Sequence, residues 1–367
     1  MKVTCTQENL AKGLSLVSHV ASKNITLPIL NNVLIRAEQG VIKLLTTNLE
    51  IGIICQVRGK VEQEGAFTVQ AKTLSDYVNL LPKENIEMEV VDQNLKIKGK
   101  KSKTVMKGLE SSEFPLIPEV EAKQKFDIPA ETLRRALSNV AFAVAYDETR
   151  PEISGVYFNF EGGNLTAVAT DSYRLAEKKV ALAKPASGQH SVIVPIRTIQ
   201  ELVRILGDYD EPVSIVCNEN QILFDLGETK LTSRVIEGQY PDYQQIIPKE
   251  YRTKVTVDTQ ELINTVKRAS LFCKPGGNDI VLKFEKTAGQ ITVNTTNAQV
   301  GESEAVQEAA IEGDDNHIVF NYRYLLDGLQ NLGSTSCVME INSNLSPGLV
   351  KPAKEGDYLY IIMPIKQ

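Results

Sequence analysis

The chain has 367 residues, of which 42% are hydrophobic, and a formal net charge of −6. This length accommodates two or three domains of ordinary size, and no apolar run approaches the roughly 20 residues that a membrane-spanning helix needs. The N-terminal sequence lacks the charged and then apolar layout of a secretory signal, so we expect a cytoplasmic protein. A negative average charge argues against nucleic acid as a partner, but phosphate binding depends on where the bases lie.

Each third of the chain begins with a short alternating strand and an amphipathic helix. Leu10, Leu133 and Leu262 open the apolar stripes of these helices and are separated by 123 and 129 residues. Strand-like segments with Gly-containing turns follow and predict antiparallel hairpins. Second helices are then predicted over 72–81, 196–206 and 322–332, and they end where Pro82, Gly207 or Gly333 interrupts the helix.

A strand that ends in Thr followed by Asn or Asp occurs three times, at Thr47-Asn48, Thr170-Asp171 and Thr296-Asn297. The separations are 123 and 126 residues, which is the size of a domain and too long for a solenoid repeat of about 20 to 50 residues. We therefore predict an α+β protein with three tandem repeated domains, 1–120, 121–248 and 249–367. Helices are expected on one face of each domain and antiparallel sheets on the other.

The residues of a catalytic or metal site are not evident in the sequence. The five cysteines are far apart and have no C-x-x-C spacing, and the three histidines are isolated. No phosphate-binding Gly-rich loop follows a strand. The sequence therefore predicts buried free thiols, no cofactor, no metal and no enzyme activity, with a nuclease or transferase of unrecognised active site as the alternative.

The basic residues are concentrated on the predicted helices. Six acids lie on these helices: Glu8, Asp76, Glu131, Glu201, Glu261 and Asp327. Nine bases lie there too: Lys12, Lys72, Arg134, Arg135, Arg197, Arg204, Lys267, Arg268 and Arg323. Ordinary solvated helix faces would explain this small excess, but its recurrence in each repeat also fits helices that face one polyanion.

Four motifs together resemble the bacterial DNA polymerase III beta subunit family of sliding clamps over the full length of the chain. They are Thr26-Leu27-Pro28-Ile29-Leu30-Asn31-Asn32, Thr170-Asp171-Ser172-Tyr173-Arg174-Leu175-Ala176, Tyr240-Pro241-Asp242-Tyr243 and Tyr360-Ile361-Ile362-Met363-Pro364-Ile365. The resemblance implies a DNA clamp fold and a head-to-tail homodimer that closes a ring around double-stranded DNA, independently of sequence. It also implies a non-enzymatic processivity factor for DNA replication, loaded by a clamp loader.

The resemblance further implies a pocket for short linear motifs of polymerase III and other replication or repair factors. The residues that match this pocket are Ile153, Thr170, Ser172, Tyr173, Arg174, Leu175, Pro241, Gln245, Ile246, Leu345, Pro347, Ile361, Ile362, Met363, Pro364 and Ile365. Ser172-Tyr173 and Gln245 depart from the residues most frequent in the family. Core packing is the alternative role for Leu175 and Ile362, and a salt bridge between domains is the alternative for Arg174.

DNA contacts are implied at Lys23, Asn24, Lys72, Arg197 and Arg204, which match basic or loop positions of the family. A monomeric peptide-binding scaffold that does not encircle DNA remains the alternative function.

Overall fold

The repeated pattern of the sequence is present in the structure, a computed structural model that describes residues 1–21, 26–121, 124–147, 149–274, 276–354 and 356–366. The described residues form six α-helices and 26 strands. Each third of the chain follows the order strand, helix, strands, helix, strands, as predicted. No helix in these ranges is long and apolar enough to cross a membrane.

The elements of the three repeats are as follows. The first contains β1 (Lys2–Thr6), α1 (Gln7–Val17), β2 (Asn32–Glu38), β3 (Val41–Thr47), β4 (Ile51–Val57), β5 (Gly59–Gln63), β6 (Gly65–Gln70), α2 (Ala71–Asn79), β7 (Asn85–Val91), β8 (Asn94–Lys98) and β9 (Lys103–Leu109). The second contains β10 (Lys125–Ile128), α3 (Ala130–Ala141), β11 (Gly155–Glu161), β12 (Asn164–Thr170), β13 (Arg174–Ala181), β14 (Gln189–Pro195), α4 (Ile196–Leu206), β15 (Val213–Cys217), β16 (Gln221–Leu226) and β17 (Thr229–Arg234). The third contains β18 (Thr253–Asp258), α5 (Thr259–Ser270), β19 (Asp279–Glu285), β20 (Gln290–Asn297), β21 (Gly301–Glu308), β22 (Ala310–Gly313), β23 (Asn316–Asn321), α6 (Tyr322–Gln330), β24 (Ser336–Ile341), β25 (Gly348–Pro352) and β26 (Tyr358–Ile362).

Helices α5 and α6 begin at side-chain caps that the sequence provides. Asp258 accepts a hydrogen bond of 2.8 Å from the backbone N–H of Glu261, and Asn321 accepts one of 3.0 Å from that of Arg323. Such caps satisfy N–H groups that the first helical turn leaves unpaired. The predicted second helices are confirmed; α4 has the predicted bounds, and α2 and α6 end two residues earlier than predicted.

The first compact unit comprises Met1–Glu131 and Gln200–Val235. Its strands form one sheet in the order β10-β15-β16-β17-β4-β3-β2-β6-β9-β8-β7-β1-β5. Helices α1 and α2 contact each other, and the apolar side of α1, with Leu10, Leu14 and Val17, is fully buried. The unit therefore combines the whole first repeat with four strands of the second.

The second compact unit comprises Thr132–Ile199 and Ile236–Gln367. It contains a nine-stranded sheet in the order β14-β11-β12-β13-β26-β25-β24-β18-β22 and a four-stranded sheet in the order β21-β20-β19-β23. All strand pairs recorded for the described residues are antiparallel, as predicted. Since the strands of the middle repeat are shared between both units, the boundaries at residues 120 and 248 stay a prediction.

Two equivalent strand pairs join neighbouring repeats. In the first unit, β17 pairs with β4, with Ser233 opposite Ile51. In the second unit, β26 pairs with β13, with Ile361 opposite Leu175. In both cases the last strand of one repeat pairs with the strand that follows the Thr-Asn/Asp loop of the repeat before it. This rule positions the candidate site described below.

All five cysteines are free, as predicted, although Cys217 and Cys273 are only partly buried. Burial raises the pKa of the Cys5 thiol from 9.0 to about 12, because a buried thiolate loses its hydration. At neutral pH the Cys5 thiol is therefore protonated and packs as a small apolar group.

Raising the pH above 9 is expected to lower the free energy of unfolding. In the unfolded chain Cys5 loses its proton near pH 9.0, whereas in the folded chain it keeps the proton up to about pH 12. The stability that this thiol contributes is therefore fully present below pH 9 and is lost between pH 9 and 12, at up to about 1.4 kcal/mol per pH unit. Urea unfolding at pH 8 to 11 measures this slope, and Cys5→Ala should make it shallower. An identical slope in the variant would contradict the assignment.

Candidate functional site

The Thr-Asp loop between β12 and β13 has a fixed backbone. Asp171 Oδ1 accepts hydrogen bonds of 3.0 Å from the N–H groups of Tyr173 and Arg174, and Thr170 Oγ1 donates to the Arg174 carbonyl at 2.7 Å. Ser172 adopts a φ of 76°, which is uncommon for a residue other than glycine. These bonds turn the Tyr173 side chain outward, where it is 63% exposed.

The equivalent loop of the first repeat has the same construction. Asn48 Oδ1 accepts from the N–H groups of Glu50 and Ile51, Thr47 Oγ1 donates to the Ile51 carbonyl, and Leu49 has a φ of 77°. The repeated Thr-Asn/Asp motif is thus a loop-forming device, and its function must come from the residues that differ between copies.

A buried apolar layer lies beneath the Thr-Asp loop. Ile153, Leu175 and Ile361 belong to one cluster with Val168, Ile193, Tyr240, Tyr243 and Leu349. Leu175, Ile361 and Ile362 have no exposed surface. These predicted pocket residues are therefore core residues, in agreement with the alternative role given to Leu175 and Ile362.

Two buried tyrosines of the Tyr-Pro-Asp-Tyr motif hold this layer together. The Tyr240 ring stacks on Tyr157 with centroids 4.7 Å apart, and the Tyr243 hydroxyl donates to Glu177 at 2.7 Å. Burial, and then the bond to Glu177, raise the pKa of Tyr243 above its usual range. Glu177 is only 5% exposed, and this hydrogen bond gives its buried carboxylate a partner.

The other apolar residues of the predicted pocket are accessible, and we call the region that they define the second-unit groove. They consist of Tyr173, Ile246 and Leu345, which are 63%, 40% and 63% exposed, and of Pro241, Pro347, Met363, Pro364 and Ile365, which are partly buried. Backbone bonds connect the C-terminal segment to the rest: Met363 N donates to the Tyr173 carbonyl and Ile365 N to the Val319 carbonyl, both at 2.8 Å. The structure therefore brings together segments that are distant in sequence.

Arg174 supports the groove from within. Its guanidinium donates to Asp171 Oδ2 at 3.0 Å, to Asp327 Oδ2 at 2.5 Å and to the Phe142 carbonyl at 2.9 Å. It also lies over the Tyr324 ring, 4.6 Å from the centroid. The sequence predicted that Arg174 orients the backbone of a partner or joins two domains. In the structure its guanidinium donates hydrogen bonds to residues of both the second and the third repeat.

The remaining polar residues of the predicted site are paired locally. Ser172 Oγ accepts from Arg150 at 2.7 Å, and Gln245 Nε2 donates to Asp242 at 2.7 Å. Sequence reasoning missed Asp327, Phe142 and Tyr324, because only the fold brings them to Arg174. Arg174 is thus ion-paired with Asp171 and Asp327, and Ser172 and Gln245 form hydrogen bonds to nearby residues.

Exposed bases recur at one position of the second helix in every repeat. Lys72, Arg197 and Arg323 are each the second residue of α2, α4 and α6, and all three are exposed. A cation in the first helical turn is unfavourable with respect to the helix dipole, by about 0.3 to 1 kcal/mol. Local helix stability therefore does not explain this recurrence. Arg323 was not among the predicted DNA-binding residues, although the repeat was the signal that could have found it.

The basic excess of the helices is larger than the residue count suggests. At least three of the six helical acids form ion pairs: Glu8 with Lys83, Glu201 with Arg204, and Asp327 with Arg174. Each of the six helices carries at least one exposed Lys or Arg; the exposed set is Lys12, Lys72, Arg135, Arg197, Lys267, Arg268 and Arg323.

Arg204 has a structural role that the sequence did not predict. Its guanidinium donates to the carbonyls of Ser15 and Leu16 at 3.0 and 2.8 Å, in the last turn of α1, and forms an ion pair with Glu201. It satisfies carbonyls that a helix C-terminus leaves unpaired. Lys23 and Asn24, which were also predicted to contact DNA, lie outside the described residues.

Comparison with known protein families gives one match for each repeat. The N-terminal domain of the DNA polymerase III beta subunit matches residues 1–118, its central domain residues 127–242 and its C-terminal domain residues 244–366. The beta sliding clamp of Bacillus subtilis is 31% identical over 100% of both chains, and that of Synechocystis is 31% identical over 100% of this chain and 99% of its own.

Solved structures give the same result for the fold. The DNA polymerase III subunit beta of Pseudomonas aeruginosa superposes with a TM-score of 0.96 at 31% identity, covering 100% of both chains. A sliding clamp from Bartonella birtlesii bound to griselimycin superposes with a TM-score of 0.94 at 30% identity, also over 100% of both chains.

Proposed function

The chain belongs to the DNA polymerase III beta subunit family and has its three-domain DNA clamp fold, as the sequence motifs predicted, and on this basis we propose that it is a DNA sliding clamp. In this function two chains encircle duplex DNA and tether replication factors without catalysing a reaction. The observation that carries the proposal is the recurrence of an exposed base at the second residue of α2, α4 and α6. A clamp loader that opens the ring, and action in the cytoplasm, follow from the same proposal.

The clamp function is tested by the topology of the DNA. A protein held by encirclement stays on a nicked circle after loading and is lost by sliding when a restriction enzyme cuts the circle. Gel filtration of the complexes before and after cutting measures retention. Equal retention on circular and linear DNA would contradict the proposal.

Peptide binding is the second part of the proposed function. The second-unit groove offers exposed apolar side chains above a rigid core, as expected of a site that binds apolar anchors of a linear motif. The sliding clamps of Pseudomonas aeruginosa and Bartonella birtlesii have been solved bound to griselimycin, which supports a ligand site in this family. Polymerase III and other clamp-binding proteins would occupy the groove through short peptides with Leu and Phe anchors.

Removing the repeated helix bases is expected to weaken DNA binding and its dependence on salt. In Lys72→Gln/Arg197→Gln/Arg323→Gln, the slope of log K against log salt concentration should fall by up to about five units, since a ring of two chains loses six bases and each lost phosphate contact accounts for about 0.9. Titration of a short duplex measures this slope. The control replaces three exposed lysines outside the helices, Lys60, Lys184 and Lys249, by Gln, which changes the net charge equally. An equal effect of both triple variants would show that only the net charge matters.

A head-to-tail homodimer follows from the pairing rule of the repeats. The last strand of the second repeat pairs with β4, and the last strand of the third pairs with β13. The strands left over are β9, the last of the first repeat, and β21, which follows the Thr-Asn loop of the third. We propose that β9 of one chain pairs with β21 of another, so that two chains form two identical contacts.

Strands β9 and β21 carry opposite charges, and each also carries an exposed apolar side chain. Strand β21 is the edge of its sheet and carries Glu302 and Glu304. Strand β9 carries Lys103 and Lys107, and it pairs with β6 only at Gly108 and Leu109. Val105 and Val306 are 54% and 50% exposed on these strands. Exposed edges of this kind are normally covered by another chain or protected. The mass in solution distinguishes this dimer from the monomeric scaffold.

A further inference from the structure

A cavity of about 330 Å³ lies in the first unit beside the Thr-Asn loop of the first repeat. The residues that matter for its chemistry are Leu49, Glu50, Gly52, Leu116, Ile117 and Arg234. We call it the first-unit groove. It involves none of the residues of the second-unit groove, and the proposed sliding-clamp function does not use it.

The first-unit groove is built on the same backbone framework as the second-unit groove. Arg234 N donates to the Glu50 carbonyl at 2.9 Å, as Met363 N donates to the Tyr173 carbonyl at 2.8 Å. Ser233 lies opposite Ile51 across the strand pair, as Ile362 lies opposite Arg174. The segment Phe114-Pro115 precedes the groove as Tyr240-Pro241 precedes the other, and Phe114, like Tyr240, is buried.

Side-chain differences leave the first-unit groove open. Gly52 occupies the position equivalent to Leu175, and a Cβ atom there would lie 2.8 Å from Ile117 Cγ2. The lack of a side chain at Gly52 thus lets Ile117 pack directly on the strand. Leu49 and Leu116 are left 49% and 88% exposed at the rim. These two large apolar side chains give the cavity an apolar rim that an occupant could cover.

The charges of the two grooves differ. In the second-unit groove the guanidinium of Arg174 is neutralised by Asp171 and Asp327. In the first-unit groove Arg234 is exposed, and no described residue forms an ion pair with it. Glu50 is the other charged residue of the lining and disfavours more than one acidic group in the occupant.

We propose that the first-unit groove binds an extended peptide segment of a partner protein in which an apolar side chain lies beside one carboxylate. Leu49, Leu116 and Ile117 contact the apolar side chain, and Arg234 pairs with the carboxylate. The choice of a peptide as occupant rests on the proposed function of the second-unit groove, with which it shares its framework. One chain would then bind two peptides of different charge preference.

Photo-crosslinking of the full-length protein tests this proposal. The probe is an acetylated tetrapeptide with two leucines, one aspartate between them and a C-terminal benzoylphenylalanine, and a second probe has asparagine in place of aspartate. Mass spectrometry of tryptic fragments then locates the adducts. We expect adducts in both grooves, at residues 114–118 and at residues 241–246 or 363–366.

Variants separate specific binding from chance labelling. Leu116→Ser and Arg234→Gln should each reduce the adduct at 114–118, Arg234→Gln by up to about fivefold for the loss of one exposed ion pair. With the asparagine probe, the adduct at 114–118 should decrease by a similar factor, and the adduct at the second-unit groove should not decrease. The control is Leu80→Ser, because Leu80 is also 86% exposed in the first unit but does not line the groove.

The outcomes distinguish the two proposals. Adducts only at the second-unit groove would overturn the inference and leave the proposed function intact. Adducts in neither groove would overturn both. Adducts at 114–118 that persist in Leu116→Ser and Arg234→Gln would show unspecific labelling and would also overturn the inference.

Discussion

The double variant Lys103→Glu/Lys107→Glu is expected to be a monomer at concentrations at which the unmodified chain is a dimer. The change puts two acids on β9 opposite Glu302 and Glu304 of β21 in the proposed contact. Like charges facing each other across an interface cost several kcal/mol, and the head-to-tail dimer contains the contact twice. With about 2 kcal/mol at each contact, the dissociation constant rises by roughly 1,000-fold. Analytical ultracentrifugation measures it directly.

A charge swap makes this prediction specific. Adding Glu302→Lys and Glu304→Lys to the double variant restores opposite charges on the two edges and should restore the dimer. Lys184→Glu/Lys249→Glu is the matched control, since both lysines are exposed and lie on neither edge. A double variant that stays dimeric, or a swapped variant that stays monomeric, would refute the pairing of β9 with β21.

The architecture could be predicted from the sequence because local signals repeat. Leu10, Leu133 and Leu262 start amphipathic helices, and the Thr-Asn/Asp loops give the period of the repeats. Each signal needs only neighbouring residues, and three copies reinforce one another. The division of the middle repeat between two units could not be predicted, because it depends on pairings such as β17 with β4, between residues about 180 positions apart.

The candidate site was predicted less completely, because it also depends on contacts between residues that are distant in sequence. The family motifs identify the loop at Thr170 and the C-terminal segment, but not which of their side chains are accessible. Leu175, Ile361 and Ile362 are fully buried, whereas Tyr173 and Leu345 are exposed. Arg204 illustrates the limit: the family resemblance implied a DNA contact, which stays a prediction, but not the hydrogen bonds of its guanidinium to two carbonyls of α1. Exposure and hydrogen-bond partners are properties of the folded chain.

Arg174→Ala is expected to impair both the stability of the second unit and peptide binding. The variant leaves Asp171 and Asp327 without their shared cation and removes the group that lies over Tyr324. Because the Arg174 side chain is only 11% exposed, breaking these pairs should cost about 2 to 4 kcal/mol, toward the range of buried ion pairs. Thermal unfolding of the full chain measures this loss.

The binding loss has a separate cause. Arg174 is a positioning residue, since its nitrogens contact Asp171, Asp327 and the Phe142 carbonyl. Without it the Tyr173 loop and Tyr324 lose their support, and the affinity for a Leu- and Phe-containing pentapeptide should fall by about tenfold, equivalent to 1.4 kcal/mol. Arg174→Lys keeps the charge but not the fork of donors and should give an intermediate affinity.

Arg150→Ala is the control for this effect, because Arg150 donates to Ser172 in the same loop but its side chain is 45% exposed. We expect fluorescence anisotropy to show less than a twofold change in peptide affinity for it. If Arg174→Ala lowered the unfolding temperature and left the peptide affinity unchanged, Arg174 would serve the fold alone. In that case the peptide would have to bind away from Tyr173, because the backbone N–H groups of Tyr173 and Arg174 both donate to Asp171, which loses its cation in the variant.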